Sequence, residues 1–414
     1  MHNIELLIEE HSTQVELHIL RAAADSAAEH QIDLYLVGGK VRDILSGSPS
    51  VDLDLAVTGQ VTDFARDLAA RIDGEVTARS QFNTITIQSD TCMEIDIALA
   101  RREFYVNPGA LPTVEPGSIK EDLARRDFSI NAMAASLKKE SWGDLIDPFG
   151  GCLDVKKGEV RVLHKNSFMD DATRIIRAIR YSSRPGFHLQ LDTLDLIKRD
   201  LAHLDNISGA RLCHELRQIF NEQCRAEILL KCQEFGIFEK IHPALRFEPD
   251  MMLRMDVCHP FSTFRNALSV LAFLVCDSSD QERESLVVRL DLRGSWADVV
   301  RDVSKLREVV EKLEKPDIAR SVIFDLLKGL HVSAIEGFVL ASGDGLIRDR
   351  LELYLMELRH LRPLLNGDDL MALGVPQGEV IGKLLGEILN ARLDGSLSSR
   401  RDEKNYVLEA LLYE

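Results

Sequence analysis

The sequence predicts an α+β protein, with a mixed α/β head in the first 150 residues and a mostly helical remainder. Short apolar segments, separated by stretches in which apolar residues have helical spacing, predict four strands in the head. These segments are IDLYLV (32–37), VDLDLAV (51–57), TITIQS (84–89) and EIDIALA (94–100). Beyond residue 160 no strand-like alternation persists, and helical spacing dominates.

The connecting segments and the chain length indicate more than one domain. YVNPGALPTVEPGS (105–118) is rich in Gly and Pro and predicts a long loop, and DPFGG (147–151) is a turn cluster that marks a boundary. At 414 residues and 46.5 kDa, the chain exceeds the size at which a single core keeps growing. We therefore expect two or more domains.

The composition is that of an ordinary globular protein and argues against a membrane protein. No apolar run approaches the roughly 20 residues that span a bilayer, and the N-terminus MHNIELLIEEHSTQ lacks a signal-peptide pattern. The 7 cysteines form no C-x-x-C pair, which is typical of reduced thiols in a cytosolic protein. We expect no membrane partner and a cytoplasmic location.

The net charge of −17 argues against a protein that coats nucleic acid non-specifically. One window departs from this balance, because residues 161–184 hold six Lys and Arg residues against two Asp residues. A polyanion is therefore expected to meet one cleft and not the whole surface.

Asp52 and Asp54 in VDLDLAV are the first candidate site residues. In a strand they share one face with Cα atoms about 6.5 Å apart, so both carboxylates reach a common site. Hard oxygen ligands favour Mg²⁺, which often binds through one or two carboxylates plus substrate phosphates. An edge strand with two solvated aspartates remains the alternative for this pattern alone.

The glycine pair before KVRDIL is the second candidate. Gly38 and Gly39 join an apolar strand to a predicted helix, and a helix N-terminus presents free backbone N–H groups to an anion. Arg42, one turn into that helix, reaches the same phosphate. The spacing matches neither G-x-G-x-x-G nor the P-loop, so those folds are not supported. A simple turn is the alternative.

Two further patterns combine arginines with carboxylates. EDLARRDFSINAMA (121–134) places Arg125 and Arg126 beside Asp127, which alone is compatible with a surface ion-pair cluster. SFMDDATRIIRAIRYSSR (167–184) predicts one helix with Ser167 as its N-cap. Its apolar residues fall on one face and its charged residues on the other, and a solvated amphipathic face is the alternative. The apolar set is Phe168, Ala172, Ile175, Ile176 and Ile179, and the charged set is Asp170, Asp171, Arg174, Arg177 and Arg180.

Residues 38–43 and 52–54 together resemble the G-G-x-V-R-D turn and D-x-D strand of the polymerase-β-like nucleotidyltransferases. The similarity is to the branch of class II tRNA nucleotidyltransferases and bacterial poly(A) polymerases. It implies a nucleotidyltransferase head with a small mixed sheet, followed by all-helical neck, body and tail domains. By this resemblance Asp52 and Asp54 hold catalytic Mg²⁺, and Gly39 and Arg42 touch the nucleoside triphosphate.

The other two patterns resemble further motifs of this branch. RRDFSINA is similar to R-R-D-F-T-x-N-A, which makes Arg126 a triphosphate ligand and Asp127 a sugar contact or an organiser of the pocket, supported by Asn131. DDATR is similar to E-D-x-x-R, which makes Asp171 and Arg174 the readers of the incoming base, with Arg177 and Arg180 as further nucleotide contacts. The sequence departs from the motif at Asp170, where the family has Glu.

The resemblance implies a template-independent enzyme that adds CMP or AMP from CTP or ATP to tRNA 3′ ends and releases pyrophosphate. CCA, CC, A and poly(A) addition share these motifs, and the presence of the loop at 102–118 favours an activity that includes A addition. A catalytically inactive RNA-binding homologue is the alternative from another class. We expect a head (1–150), a neck with the base-reading helix (151–245), a body (246–335) and an RNA-binding tail (336–414), as a monomer or homodimer.

Overall fold

A computed structural model describes residues 3–48, 53–79, 84–104, 113–248 and 266–412. Backbone contacts divide the chain into a first unit, Met1–Arg211, and a second unit, Leu212–Glu414. The predicted domain boundaries after residues 150, 245 and 335 stay predictions.

The first unit is built on a seven-stranded mixed sheet. In spatial order the strands are β3, β4, β5, β2, β1, β8 and β9. Their bounds are β1 Asp33–Val37, β2 Leu53–Thr58, β3 Glu75–Arg79, β4 Thr84–Gln88, β5 Glu94–Leu99, β8 Ala134–Ser136 and β9 Leu145–Ile146. The pair β2–β5 is parallel and the other neighbours are antiparallel. Strands β1, β2, β4 and β5 lie on the four predicted segments.

Besides the sheet, the described part of this unit contains two small ribbons, nine α-helices and three short 3₁₀ helices, Ser129–Asn131, Lys139–Ser141 and Leu201–Asn206. The ribbons pair β6 Arg101–Phe104 with β7 Thr113–Pro116, and β10 Glu159–Val160 with β11 His188–Leu189. The helices are α1 Glu5–His11, α2 Gln14–Glu29, α3 Gly39–Ser46, α4 Val61–Arg71, α5 Ile119–Ala124, α6 Gly151–Lys157, α7 Ser167–Asp170, α8 Thr173–Ser182 and α9 Leu191–Asp200. Helix α10, Gly209–Asn221, begins in the first unit and continues into the second.

Strand β2 shows how the sequence positions a carboxylate. Leu53, Leu55 and Val57 alternate along the strand and are buried. Because side chains alternate across a strand, Asp54 points to the opposite face, where it is only partly buried. Asp52 lies outside the described residues.

Helix α3 is held to the N-terminal helices by a buried ion pair. Lys40 is 1% exposed, and its ammonium pairs with the carboxylate of Glu16 in α2. The same Glu16 accepts a hydrogen bond from the backbone N–H of Thr13, so it also caps α2. A charge this deeply buried is stable only when paired, so the pair holds α3 against α2.

Three local predictions were wrong. The single helix predicted over 167–184 is broken into α7 and α8, because Asp171 is extended (φ −145°, ψ 100°). Ser167 does not cap it, since its Oγ instead accepts from Arg174. The predicted loop at 105–118 contains β7, and its residues 105–112 lie outside the described part. The predicted apolar face is fully buried, as expected.

The second unit is helical throughout its described residues. Its helices are α11 Arg225–Glu234, α12 Ile237–Ile241, α13 Ala267–Val275, α14 Asp280–Arg289, α15 Ser295–Leu313, α16 Arg320–Leu327, α17 Val332–Ala341, α18 Leu346–Met356, α19 Gly367–Ala372, α20 Glu379–Leu393 and α21 Arg400–Leu412. One apolar core joins α15 to α18, and another lies between α19 and α21. Within the described ranges, no helix is both long and apolar enough to cross a bilayer.

Candidate active site

Asp54 lies beside a second carboxylate at the centre of the sheet. In the parallel pair β2–β5, Asp54 is in register with Asp96, so both occupy the same face. Thr86 Oγ1 on β4 donates to Asp96 Oδ1 at 2.6 Å and fixes that side chain. Asp96 was not among the predicted site residues, although its place in EIDIALA mirrors that of Asp54 in VDLDLAV.

The glycine turn brings the Asp54 carboxylate and an arginine together. Gly38 has φ +70°, a left-handed conformation that favours glycine, and it leads directly into α3. A Cβ built on Gly38 would lie 2.9 Å from Arg126 Nη1 and 3.4 Å from Asp54 Oδ2. A cation and a carboxylate from two motifs therefore meet at this turn. A Cβ on Gly39 would likewise lie 3.5 Å from Arg42 Nη2.

The two arginines of the RRD motif are oriented by a buried aspartate. Asp122 in α5 accepts from Arg125 Nη2 at 2.7 Å and from Arg126 Nη2 at 3.0 Å. Burial alone raises the pKa of Asp122, but the charges of Arg126 and Arg125 outweigh it and hold the pKa below its usual range. The carboxylate stays ionised and keeps both guanidinium groups in place.

The side chain of Asn131 bonds Arg42 and Asp127, and Asp127 extends this link to Arg177 in α8. Its Oδ1 accepts from Arg42 Nη1 at 2.7 Å, and its Nδ2 donates to Asp127 Oδ1 at 3.0 Å. Asp127 Oδ2 in turn accepts from Arg177 Nε and Nη2 at 2.8 and 2.7 Å. We call these four residues the Asn131 network. It joins the glycine-turn helix, the RRD motif and α8 at one place.

Asp127 is strongly ionised within this network. Burial raises the pKa of its carboxyl, but the positive charge of Arg177 and the hydrogen bonds from Asn131 and Arg177 more than offset that effect. The net result lowers the pKa from 3.8 to about 2. Both oxygens are occupied by donors, since Oδ1 also accepts from the Phe128 N–H at 2.8 Å. In this structure the carboxylate organises arginines.

The base-reading candidates of α8 are not on a solvated face. Arg174 is 5% exposed and donates to Ser167 Oγ at 2.8 Å and to the Arg125 carbonyl at 2.7 Å. Arg180 is buried as well. The alternative of a solvated amphipathic face is therefore wrong for this helix, because a buried guanidinium needs dedicated acceptors.

Asp171 lies at the break between α7 and α8. Its Oδ1 accepts from the backbone N–H of Thr173 at 3.0 Å and from Thr173 Oγ1 at 2.7 Å, so it caps the first turn of α8. Arg211, at the start of α10, places Nη2 2.7 Å from the same oxygen. Arg211 was not among the predicted site residues, because nothing in its local sequence relates it to a residue 40 positions earlier.

Positive charge is concentrated around one aromatic ring. Four guanidinium carbons lie within 6 Å of the Tyr181 ring centroid, a distance at which cations are attracted to the π face. They are Arg42 at 5.3 Å, Arg177 at 5.6 Å, Arg180 at 5.2 Å and Arg184 at 5.0 Å. We call these four residues the arginine ring. Like charges gathered this closely suit a polyanion.

The predicted metal ligands are only partly described. Among the described residues no group of three His, Cys, Asp or Glu side chains is placed to hold a metal ion, and Asp52 is outside that set. Asp54 and Asp96 nevertheless present hard carboxylate oxygens on one face of the sheet. That donor chemistry fits a divalent cation such as Mg²⁺.

Comparison with known proteins agrees with this geometry. Residues 34–161 match the family described as "Poly A polymerase head domain", and residues 186–248 match "Probable RNA and SrmB- binding site of polymerase A". A mixed sheet with a carboxylate beside a glycine turn and clustered arginines, matched to that head family, defines a nucleotidyltransferase.

Full-length relatives narrow the class. An A-adding tRNA nucleotidyltransferase of Halalkalibacterium halodurans is 30% identical over 407 residues, which cover 96% of this chain and 93% of the relative. One from Geobacter sulfurreducens is 33% identical over 96% of this chain, which spans about half, 47%, of that relative's length. The Thermotoga maritima CCA-adding enzyme, solved in complex with tRNA, matches with a TM-score of 0.75 and 29% identity, covering 99% of this chain and 98% of that one. The chain belongs to the tRNA nucleotidyltransferase family.

The family resemblance and the fold class predicted from the motifs are thereby confirmed, as is the enzyme class at the level of the family. The structure brings Gly38, Asp54 and Arg126 together at the glycine turn, and Arg42 and Arg177 together around Asn131. Arg174 joins them through the carbonyl of Arg125. The roles of the individual residues stay predictions.

Proposed function

We propose that this protein adds one AMP from ATP to the 3′ end of a tRNA that already ends in CC, and releases pyrophosphate. The names of the two relatives described above support A addition, and both match nearly the whole of this chain. The presence of the segment between β6 and β7 agrees with this proposal, although residues 105–112 of that segment lie outside the described part.

The observation that carries the proposal is the Asn131 network. It gathers Arg42 and Arg177 from separate motifs, near the glycine turn where Arg126 and Asp54 both approach Gly38. Positively charged donors fixed in advance stabilise the charge that develops on a transferring phosphoryl group without reorganisation. In this proposal Gly39, Arg42 and Arg126 bind the triphosphate, and Arg177 and Arg180 make further nucleotide contacts.

Nucleotidyltransferases of this family generally use a divalent metal ion. We take the ion to be Mg²⁺, held by Asp52 and Asp54, with Asp96 as a neighbouring carboxylate in register. When bound, it supplies Lewis-acid activation of the attacking 3′-hydroxyl and stabilises the leaving pyrophosphate. The residues of the chain orient the reactants: the glycine turn and its arginines hold the triphosphate in line with the RNA end.

Base choice is assigned to Asp171 and Arg174. Adenine presents an exocyclic amino donor beside a ring acceptor, which suits a carboxylate acceptor and a guanidinium donor. A bidentate pair of this kind discriminates between bases by about 1–3 kcal/mol. Asp171→Ala is therefore expected to lose base selectivity more than triphosphate affinity.

CCA addition is the second candidate. The Thermotoga maritima structure, which this chain matches over 98% of that protein's length, is a CCA-adding enzyme. The test offers three tRNAs, ending at the discriminator base, at C or at CC, each with labelled CTP or ATP. We expect growth by one nucleotide only for the CC end with ATP. Growth of the discriminator end with CTP would reject A-only addition in favour of CC or CCA addition, and a long A tail would indicate poly(A) synthesis.

Two variants test the chemistry in the same assay. Asp52→Ala and Asp54→Ala are each expected to abolish incorporation while tRNA binding, measured by filter retention, remains. Asp90→Ala, an exposed aspartate in the turn between β4 and β5, is the matched control and should keep wild-type activity. Incorporation by either of the first two variants would reject the metal assignment. An inactive wild-type protein that still binds tRNA would support the RNA-binding alternative.

A further inference from the structure

The carboxylate of Asp171 is anchored through only one of its two oxygens. Oδ1 accepts two hydrogen bonds from Thr173 and has Arg211 Nη2 at 2.7 Å. Across the described residues, no hydrogen bond ends on Oδ2. The side chain of Asp171 is 20% exposed and that of Arg211 is 30% exposed, so the group is accessible without being fully solvated.

The break in the helix produces this arrangement. Because α7 ends at Asp170 and Asp171 is extended, the side chain caps α8 through the Thr173 N–H. A single local cap would leave the plane of the carboxylate free to tilt about its last torsion, which is broad for Asp. Arg211 comes from another helix, α10, and adds a charged contact from outside the capping turn. The contacts from Thr173 and from Arg211 approach from different elements, and together they fix the plane of the Asp171 carboxylate.

We propose that Arg211 is a positioning residue for base selection: it fixes Asp171 so that Oδ2 faces the exocyclic amino group of the incoming nucleotide. The proposal rests on the assignment of Asp171 as a base reader in the function proposed above. Arg211 itself does not touch the base in this account.

The chemistry explains why fixing one oxygen matters. Adenine and cytosine carry an amino donor at the position where guanine and uracil carry a carbonyl. A fixed carboxylate oxygen accepts from the amino group, whereas it repels a carbonyl oxygen and leaves both acceptors unpaired. A carboxylate that can tilt away from the carbonyl loses part of that discrimination. Arg211 therefore sets the rejection of GTP and UTP more than the binding of ATP.

A structural role for Arg211 would have a different signature. If Arg211 only attached α10 to the α7–α8 break, its loss would slow the reaction with every nucleotide alike and lower stability. If it positions Asp171, its loss changes the ratio of kcat/KM between nucleotides. The ratio is thus the measurement that separates the two roles.

The experiment uses the full chain, a tRNA ending in CC, and ATP, GTP, CTP and UTP offered singly. Arg211→Met keeps most of the side-chain stem and removes the charge. We expect the ratio of kcat/KM for ATP to that for GTP to fall about tenfold, within the range for one base-reading pair. The KM for ATP should change less than this ratio. Arg211→Lys, which keeps the charge, should recover most of the selectivity.

Arg71→Met is the matched control. The side chain of Arg71 is 28% exposed, and its Nε lies 2.8 Å from Asp67 Oδ2 in α4. The Arg71→Met variant therefore loses an ion pair of similar exposure elsewhere in the first unit. Its nucleotide ratios should equal those of the wild type. In an Asp171→Asn background, Arg211→Met should have no further effect on selectivity, because residues that act through one contact are not additive.

Unchanged ratios in a folded Arg211→Met protein, or an equal loss with all four nucleotides, would overturn the proposal. If that variant does not fold, Thr173→Val removes the other side-chain contact to Oδ1 and is expected to lower the same ratio. The proposed function fails separately, if the wild type uses CTP and not ATP. The comparison of CTP with UTP then tests Arg211 in the same way, because cytosine and uracil differ in the same amino and carbonyl groups.

Discussion

Asp127→Asn is the sharpest test of the Asn131 network because it changes charge and donor pattern but not size. Oδ1 of Asp127 accepts from Phe128 N–H and Asn131 Nδ2, and Oδ2 accepts from Arg177. The Asn side chain can turn its NH₂ group towards only one of these two positions, and the groups that face both positions are hydrogen-bond donors. In either orientation the NH₂ group faces buried donors, and the two hydrogen bonds that the carboxylate accepts on that side are lost.

The structure gives the size of the effect. The pKa of Asp127 falls from 3.8 to about 2 on folding, which corresponds to about 2 kcal/mol of stability at neutral pH. A buried group left without its partner costs about 1–3 kcal/mol more. We therefore expect Asp127→Asn to lower the free energy of unfolding of the first unit by about 3–5 kcal/mol at pH 7.

The pH dependence has a definite sign. Because the pKa of Asp127 is lower in the folded state, its stabilisation is complete above the unfolded value of 3.8 and is lost as pH falls towards 2. Asn does not titrate, so it makes no pH-dependent contribution to stability. The difference in unfolding free energy between wild type and Asp127→Asn should narrow on acidification, with about 1 kcal/mol lost by pH 3.

The assay exploits the two tryptophans of the chain, Trp142 in the first unit and Trp296 in the second. In a Trp296→Phe background, fluorescence during urea unfolding reports the first unit. Asp63→Asn is the control, since its pair with Arg66 is exposed and such pairs contribute little. A difference below 1 kcal/mol at pH 7, or one that stays constant down to pH 3, would refute the reasoning.

Two further predictions concern the glycine turn and α3. Gly38→Ala should reduce kcat at least tenfold, because its Cβ would lie 2.9 Å from Arg126 Nη1. Gly329→Ala is the control for backbone strain alone, since Gly329 has φ +88° and open space around it. Equal activity of the two variants would contradict the contact with Arg126. Lys40→Met should lower the unfolding free energy by about 3–5 kcal/mol because it leaves the Glu16 carboxylate buried and unpaired, and adding Glu16→Gln should restore much of it. Urea unfolding followed by Trp142 fluorescence measures the free energy of unfolding of the single and the double variant. A double variant as unstable as Lys40→Met alone would contradict the role of the ion pair.

Much of the first unit could be predicted because its strands obey short-range rules. The alternation of Leu53, Leu55 and Val57 identifies β2 and the face of Asp54 from the sequence alone. The parallel pairing of β2 with β5 is different, since it depends on which distant segment completes the sheet. The sequence offers Asp96 as a further carboxylate, but its register with Asp54 follows only from that pairing.

The segment that holds the proposed base readers, residues 167–184, shows the limit of local rules more clearly. A heptad-like run of apolar residues from Phe168 to Ile179 predicts one helix and does place one buried face correctly. The break at Asp171 arises because its side chain caps Thr173 and meets Arg211 from a later helix. Ser167 was assigned as a cap on its residue type, but its hydroxyl is used by Arg174 seven residues later. Competition between possible hydrogen-bond partners decides where a helix breaks and which group a hydroxyl binds. The local sequence pattern does not show which partner wins.

The arginine ring around Tyr181 has a consequence for how the protein responds to pyrophosphate, the product of the proposed reaction. The guanidinium carbons of four arginines lie within 5.6 Å of one ring centroid, so their positive charges repel one another. Any polyphosphate that enters relieves this repulsion, whether it arrives as a substrate or remains after transfer. Pyrophosphate should therefore raise the thermal unfolding temperature of the protein and drive the reverse reaction, and added salt should weaken both effects.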